Sequence, residues 1–282
     1  MKKIANETHD EERALYSSNN LEVVNCKFDG PQDGESALKE SKKIKVKNCF
    51  FNLRYPFWHD DDLVIEDSKL TEKCRAALWY SKNVTIKSSI LGGIKALREC
   101  KNITIKDSKI DSVEFGWRND NVTFINTDIN KTEYFLFESK NVKLKKTNMI
   151  GKYSFQYVKN GEISDCSFDT KDAFWHSKNI TVKNSTIKGE YLGWYSDGLT
   201  LINCKIIGTQ PLCYCKHLKL VNCEMFDTDL AFEYSDVEAT IKGSIDSVKN
   251  PKSGYIKADK INEIILKDSV IKSKCKIEEK HH

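Results

Sequence analysis

One phrase recurs along the chain, apolar-x-apolar-x-polar-small-x-apolar, at a spacing of about nineteen residues. Clear copies are Val84, Ile86, Ser88, Ser89, Leu91, then Ile103, Ile105, Asp107, Ser108, Ile110, then Val122, Phe124, Asn126, Thr127, Ile129. Thirteen copies can be counted, beginning near residues 21, 44, 63, 84, 103, 122, 142, 161, 180, 199, 218, 239 and 264. A unit this short buries its apolar face only against neighbouring copies, so the repeat fixes the architecture before any chemistry is considered.

Apolar residues two apart mark a short strand with one buried face. The polar-small pair that follows, as in Asn25-Cys26, Asp67-Ser68 or Asn203-Cys204, is a turn, because Asn and Asp tolerate left-handed backbone angles. A second extended segment such as Ala77-Leu78-Trp79-Tyr80 completes each copy and ends in a polar corner, often Ser-Lys-Asn as at 81–83. With no helical stretch between them, these pieces predict an all-β fold. It is a single-domain parallel β-helix over residues 1–282, of about 13 coils with a period near 19. Residues 1–11 are expected to cap or precede the first coil, and 245–282 to form irregular C-terminal coils and a tail. A leucine-rich repeat is excluded, because it places two residues between its second Leu and the Asn where this chain has one.

Composition narrows the partners. With 45 basic against 41 acidic residues the formal charge is +4, and no basic stripe stands out, which argues against a nucleic-acid binder. Met1-Lys2-Lys3-Ile4-Ala5 has basic residues but no apolar core behind them, and no stretch approaches a membrane span. A cytoplasmic protein without a membrane partner is expected. His281 and His282 are given no weight. Of the ten cysteines, Cys26, Cys49, Cys166, Cys204 and Cys223 share a repeat position that elsewhere holds Ser or Thr. Cysteine alternating with Ser and Thr is a small stacking residue, and no C-x-x-C pair is present. Neither a metal site nor a cofactor is expected.

Reading the repeat by columns locates candidate chemistry. One position of the second segment is wholly apolar: Leu78, Leu97, Leu136, Phe155, Phe174, Leu212. The next collects all five tryptophans, Trp58, Trp79, Trp117, Trp175 and Trp194, beside Lys39, Arg98 and Gln156. Alternation along a strand points that column outward, where flat rings could pack against sugars. The following column is also polar: Glu40, His59, Tyr80, Glu99, Arg118, Glu138, Tyr157, His176, Tyr195, Tyr214. A regular strand would turn it inward, so either a corner separates the two columns or the tryptophans fill the coil. Glu114, Asp172 and Tyr191 stand three residues before Trp117, Trp175 and Trp194. The candidate catalytic set is therefore Glu114, Arg118, Glu138, Asp172 and His176. The candidate substrate-binding set is Trp58, Trp79, Trp117, Trp175, Trp194, Tyr191 and Tyr195. Paired carboxylates can serve glycoside hydrolysis, and Arg beside them can hold a uronate or stabilise charge in an elimination.

Several phrases carry a family resemblance: Gly34-Glu35-Ser36-Ala37-Leu38-Lys39-Glu40-Ser41, Lys171-Asp172-Ala173-Phe174-Trp175, Gly189-Glu190-Tyr191-Leu192-Gly193-Trp194, and Ile245-Asp246-Ser247-Val248-Lys249-Asn250-Pro251. They resemble an uncharacterised, mainly bacterial family of right-handed β-helix proteins in the pectin-lyase-like group, across essentially the whole chain. The resemblance implies right-handed coiling but supplies no activity. Some members carry a hydrogenase label, to which the lack of C-x-x-C pairs gives no support. Two functions follow as expectations. One is a carbohydrate-binding or carbohydrate-processing protein, of hydrolase or lyase type, taking an oligosaccharide on its Trp-bearing side. The other is a non-catalytic scaffold or protein-interaction module.

Overall fold

A computed structural model describes residues 1–280, which hold strands, turns and bends but no helix. The chain winds through about 15 turns of parallel β-solenoid. It divides into two compact units, Met1–Lys143 and Leu144–His282.

In the first unit the long strands Lys2–Ala5, Asn19–Val24, Lys42–Lys47, Asp61–Glu66, Lys82–Lys87, Lys101–Lys106 and Asp120–Ile125 pair in parallel, each with the next. Short strands such as Lys69–Leu70, Ile90–Gly92 and Lys109–Asp111 form a second parallel ladder. The second unit repeats the scheme with Lys159–Ser164, Lys178–Lys183, Asp197–Ile202, Leu218–Phe226 and Asp236–Lys242. Register follows the sequence period, with Val84 opposite Ile103 and Ile103 opposite Val122.

The count of turns exceeds the thirteen expected because three rungs do not carry the full phrase. Lys2–Ala5 and Thr8–His9 form a rung of their own rather than a cap, with Ile4 as its one large aliphatic residue. Near the C-terminus the step changes: Ala239 pairs with Ile256, and Ile256 with Ile277, so the intervals become 17 and 21 residues. The copy placed at 264 is a misreading, since Ile264 pairs with Val248 in a separate two-stranded sheet.

The interior holds the apolar columns. Val84, Ile86, Ile103, Ile105, Val122 and Phe124 are at most 1 % exposed. Phenylalanines stack rung on rung there, as with Phe28 and Phe51 at 4.7 Å and Phe155 and Phe174 at 4.6 Å between centroids. Small polar residues line the interior corners and bind the backbone of neighbouring rungs. The N–H groups of Cys49, Ser68 and Ser89 donate to the hydroxyls of Ser68, Ser89 and Ser108, at 3.0, 3.1 and 3.2 Å. Cys26 N–H donates to Cys49 Sγ in the same ladder, and Cys49 Sγ–H donates to the Lys47 carbonyl. Cys26 and Cys49 are thus packing residues of this ladder. Burial pushes the Cys49 thiol up to about 11 and the Cys100 thiol up to about 12, which keeps both protonated and unreactive.

Candidate functional site

The two outward columns stand on one corner, and its backbone explains how both can face solvent. In the segment 76–81, Leu78 is buried, Trp79 half-buried, Tyr80 exposed and Ser81 buried. Tyr80 has φ 58°, and His59, Glu99, Arg118, Glu138, Tyr157, His176, Tyr195 and Tyr214 in its column all lie between 52° and 60°. A left-handed residue breaks strand alternation, so two successive side chains emerge on the outer face. Such a conformation costs a non-glycine residue roughly 1–2 kcal/mol. It is offset in part because the corner N–H reaches the next rung, as Tyr80 N–H does to the Arg98 carbonyl at 3.1 Å and His176 N–H to the Trp194 carbonyl at 3.0 Å.

In the first unit the tryptophan column is closed by cations. Trp58 and Trp79 stack at 5.1 Å with planes 3° apart. The Arg98 guanidinium lies 5.0 Å from the Trp79 ring centroid and 5.3 Å from that of Trp117. Lys39 covers the other end, 5.6 Å from Trp58. Indole N–H groups bind the following rung, Trp58 donating to the Ala76 carbonyl and Trp79 to that of Lys95. Trp117 departs from this pattern, its Nε1 being buried without a hydrogen-bond partner. In the next column His59 stacks on Tyr80, and Arg118 donates from Nε to Glu138 at 2.6 Å with Glu99 at 3.9 Å. Glu114 lies 3.4 Å from Lys95.

The second unit fills the same columns mainly with rings. Trp175 and Trp194 stack at 5.3 Å, 4° from parallel, and donate to the Tyr191 and Gln210 carbonyls. Gln156 takes the same place one rung earlier and donates to the Asp172 carbonyl at 3.1 Å. Beside them Tyr157, His176, Tyr195 and Tyr214 form a continuous stack with centroid steps of 4.9, 5.0 and 4.8 Å. Tyr191 meets Trp194 edge-on at 5.3 Å. Burial pushes the Asp172 carboxyl above its ordinary range; Lys171 opposes this and Glu190 adds to it. Burial likewise pushes the Tyr214 hydroxyl up to about 12, with Glu233 contributing.

The candidates therefore separate by unit. Glu114, Arg118, Glu138, Trp58, Trp79 and Trp117 lie in the first, and Asp172, His176, Trp175, Trp194, Tyr191 and Tyr195 in the second. Arg118 and Glu138 are brought into direct contact, whereas His176 is flanked by two tyrosine rings. Within the stacked Trp58–Trp79 and Trp175–Trp194 pairs, ring faces cover one another, so edges rather than faces look outward. Tyr157 and Tyr214 complete the stack but lie outside the sequence-derived candidate set, although they share the column of His176 and Tyr195. That set also missed Glu190, whose link to Asp172 arises only once rungs are stacked. Among the described residues, no group of three or more His, Cys, Asp or Glu side chains is arranged to hold a metal, and no helix is long and apolar enough to cross a membrane.

No curated protein matches the chain. Solved structures match with low identity. A surface adhesin, PfbA, of Streptococcus pneumoniae is 12% identical with a TM-score of 0.45, over 77% of this chain and 72% of that one. A mannuronic acid specific polysaccharide family 6 lyase from human gut microbiota is 8% identical with a TM-score of 0.41, over 100% and 92%. The catalytic unit of a GH87 alpha-1,3-glucanase from Streptomyces thermodiastaticus is 11% identical with a TM-score of 0.38, over 88% and 55%. A family match covers residues 2–278, and the chain belongs to that family, described as protein of unknown function (DUF3737).

Proposed function

We propose that the protein binds an oligosaccharide along the ring ladder of the second unit. One observation carries this: Tyr157, His176, Tyr195 and Tyr214 repeat at 4.9, 5.0 and 4.8 Å on the outer corner. A ligand lying along such a ladder gains most if its own repeat matches the step. An extended glycan advances one sugar in about one rung. An extended peptide advances about 3.3 Å per residue and falls out of register. Tyrosine and histidine edges offer apolar C–H surface with a polar tip, which suits hydroxylated rings met side-on.

The hydrolase or lyase reading is less well served by the carboxylates first chosen for it. Glu138 is engaged by Arg118 and Glu114 by Lys95, so neither stands as an isolated base. Asp172, held toward its protonated form beside Glu190, is the better placed acid. A second reading, a non-catalytic scaffold, is favoured by the indole N–H groups of Trp58, Trp79, Trp175 and Trp194, which are satisfied within the ladder. The test is an oligosaccharide-binding screen followed by tryptophan fluorescence on wild type and Tyr195→Ala. Loss of about tenfold or more in affinity is expected from removing one central aromatic contact. No binding to any saccharide favours the scaffold.

A further inference from the structure

The second unit ends differently from the way its body is built. Strand Lys260–Ile265 pairs with Ser244–Lys249, and Lys276–Glu279 with Ser253–Ala258, and among the described residues no further strand is laid on either. An interior column therefore runs out into solvent. Val248 is fully buried, whereas Ile264, its partner in the last turn, is 47 % exposed. Leu266, Val270 and Ile271 follow at 57, 91 and 37 %, and Val270 is the most exposed large apolar side chain among the described residues. No other eight-residue stretch among them exposes more than two such side chains. Residues 266–275 carry no strand and edge a cleft of about 500 Å³. The loop is tied at both ends, where the Lys267 carbonyl accepts from Asn250 Nδ2 and the Lys274 N–H donates to the Lys252 carbonyl, each at 2.9 Å. Between these ties the Val270 N–H donates to the Tyr234 hydroxyl at 3.3 Å.

Positive charge gathers on the same segment. Residues 249–276 hold eight lysines and three acids. Lys249 and Lys257 pair with Glu233 and Glu278, and Asp259 with Lys280. Lys252, Lys260, Lys267, Lys272, Lys274 and Lys276 are exposed and have no ion-pair partner among the described residues, against Glu263 and Asp268. The last turn of a solenoid ordinarily presents a polar outer face. Apolar side chains exposed there among unpaired cations mark a contact surface. A second copy of this chain would set six lysines against six more, so charge opposes end-to-end stacking of copies. An anionic bilayer answers both features, with phosphates for the lysines and an acyl boundary for the apolar side chains.

We infer that this end of the protein docks on an anionic lipid surface, with Leu266, Val270 and Ile271 entering the interface and the lysines meeting headgroup phosphates. The inference stands apart from the glycan reading and uses none of its residues. The expectation of no membrane partner rested on the lack of a spanning stretch, and a peripheral contact needs none.

The experiment is co-sedimentation of the full chain with vesicles of phosphatidylcholine alone, or mixed with phosphatidylserine, at low and high salt. Binding is expected to the mixed vesicles only, and it should weaken as salt is added. Lys272→Gln with Lys274→Gln should lower affinity about twentyfold or more, since each lysine near such a surface contributes about fivefold. Val270→Asp should also weaken binding, and an unchanged melting temperature shows that the fold is intact. Val270→Trp adds a direct probe, whose emission should shift to the blue on the mixed vesicles and be quenched by brominated lipid. Equal binding to both vesicle types, or binding to neither, overturns the inference. Salt-sensitive binding without the blue shift also overturns it, because it leaves only a loose counter-ion effect. Capture of poly-glutamate with no vesicle binding points to an acidic protein and overturns it. A concentration-dependent dimer that Val270→Asp abolishes, again with no vesicle binding, overturns it in favour of a second copy.

Discussion

The two units fill the same two columns of one repeat with different chemistry. The first alternates rings with charge, in the series Lys39, Trp58, Trp79, Arg98, Trp117 and, one column on, Glu99, Arg118, Glu138. The second stacks Tyr157, His176, Tyr195 and Tyr214 without a charged partner between them. A cation between two indoles covers one face of each and closes the ladder on itself. An aromatic stack uses the faces as fully but leaves a row of hydroxyls and ring edges at the surface. The same scaffold position can therefore be a fastening in one place and a contact surface in another.

The largest effect that would sharpen this contrast comes from the rings. Trp194→Ala removes a half-buried indole, its stack on Trp175 and its bond to the Gln210 carbonyl. It should destabilise the fold by about 2–3 kcal/mol, below the range for a fully buried Trp. Arg98→Ala in the first unit should cost about 1–2 kcal/mol, since cation–π contact and packing are lost but no ring is. Denaturant midpoints of the two variants check the order, and an equal loss would erase the distinction.

Legibility in the sequence followed the same division. Interior columns were readable because period-two apolar residues survive rung after rung, and cysteine among Ser and Thr declared itself as packing. The outward set of both surface columns was not decidable, because the left-handed corner is occupied by His59, Tyr80, Glu99 and Arg118, residue types that advertise no unusual φ. Pairings such as Asp197 with His217 were invisible for another reason. They join residues twenty apart, and only the register brings them within 2.8 Å.

One interior column carries an acid in the first unit only. The first carries Asp60 between Ser41 and Ser81, 1 % exposed, with one carboxyl oxygen bonded to the Ser41 N–H and the other without a partner. The corresponding column of the second holds Val158, Ser177, Ser196, Cys215 and Ser235. Burial holds the Asp60 carboxyl well above the usual carboxylate range. The folded state thus keeps a proton that the unfolded chain releases, so this group's contribution is fully present below the ordinary Asp value. It is lost progressively as pH rises from there toward the raised folded value. Asp60→Asn should raise the melting temperature at neutral pH by several degrees and have little effect below pH about 4. A difference that does not grow with pH would show the acid to be ionised in place.

The smallest effect is expected at the exposed Arg118–Glu138 pair. A double-mutant cycle with alanine should give a coupling of at most about 1 kcal/mol, falling as salt is added. A larger, salt-insensitive coupling would mean that the charged column of the first unit is as much a fixture as its tryptophans.

The left-handed corner makes each turn a self-contained register mark. Its two outward side chains can be rewritten without touching the apolar columns beneath. A duplicated or deleted segment of about nineteen residues would add or remove one mark and leave the pairing on either side unchanged. The length of the outward row of side chains is then a quantity that copying the gene segment adjusts in whole rungs, with no new fold to discover.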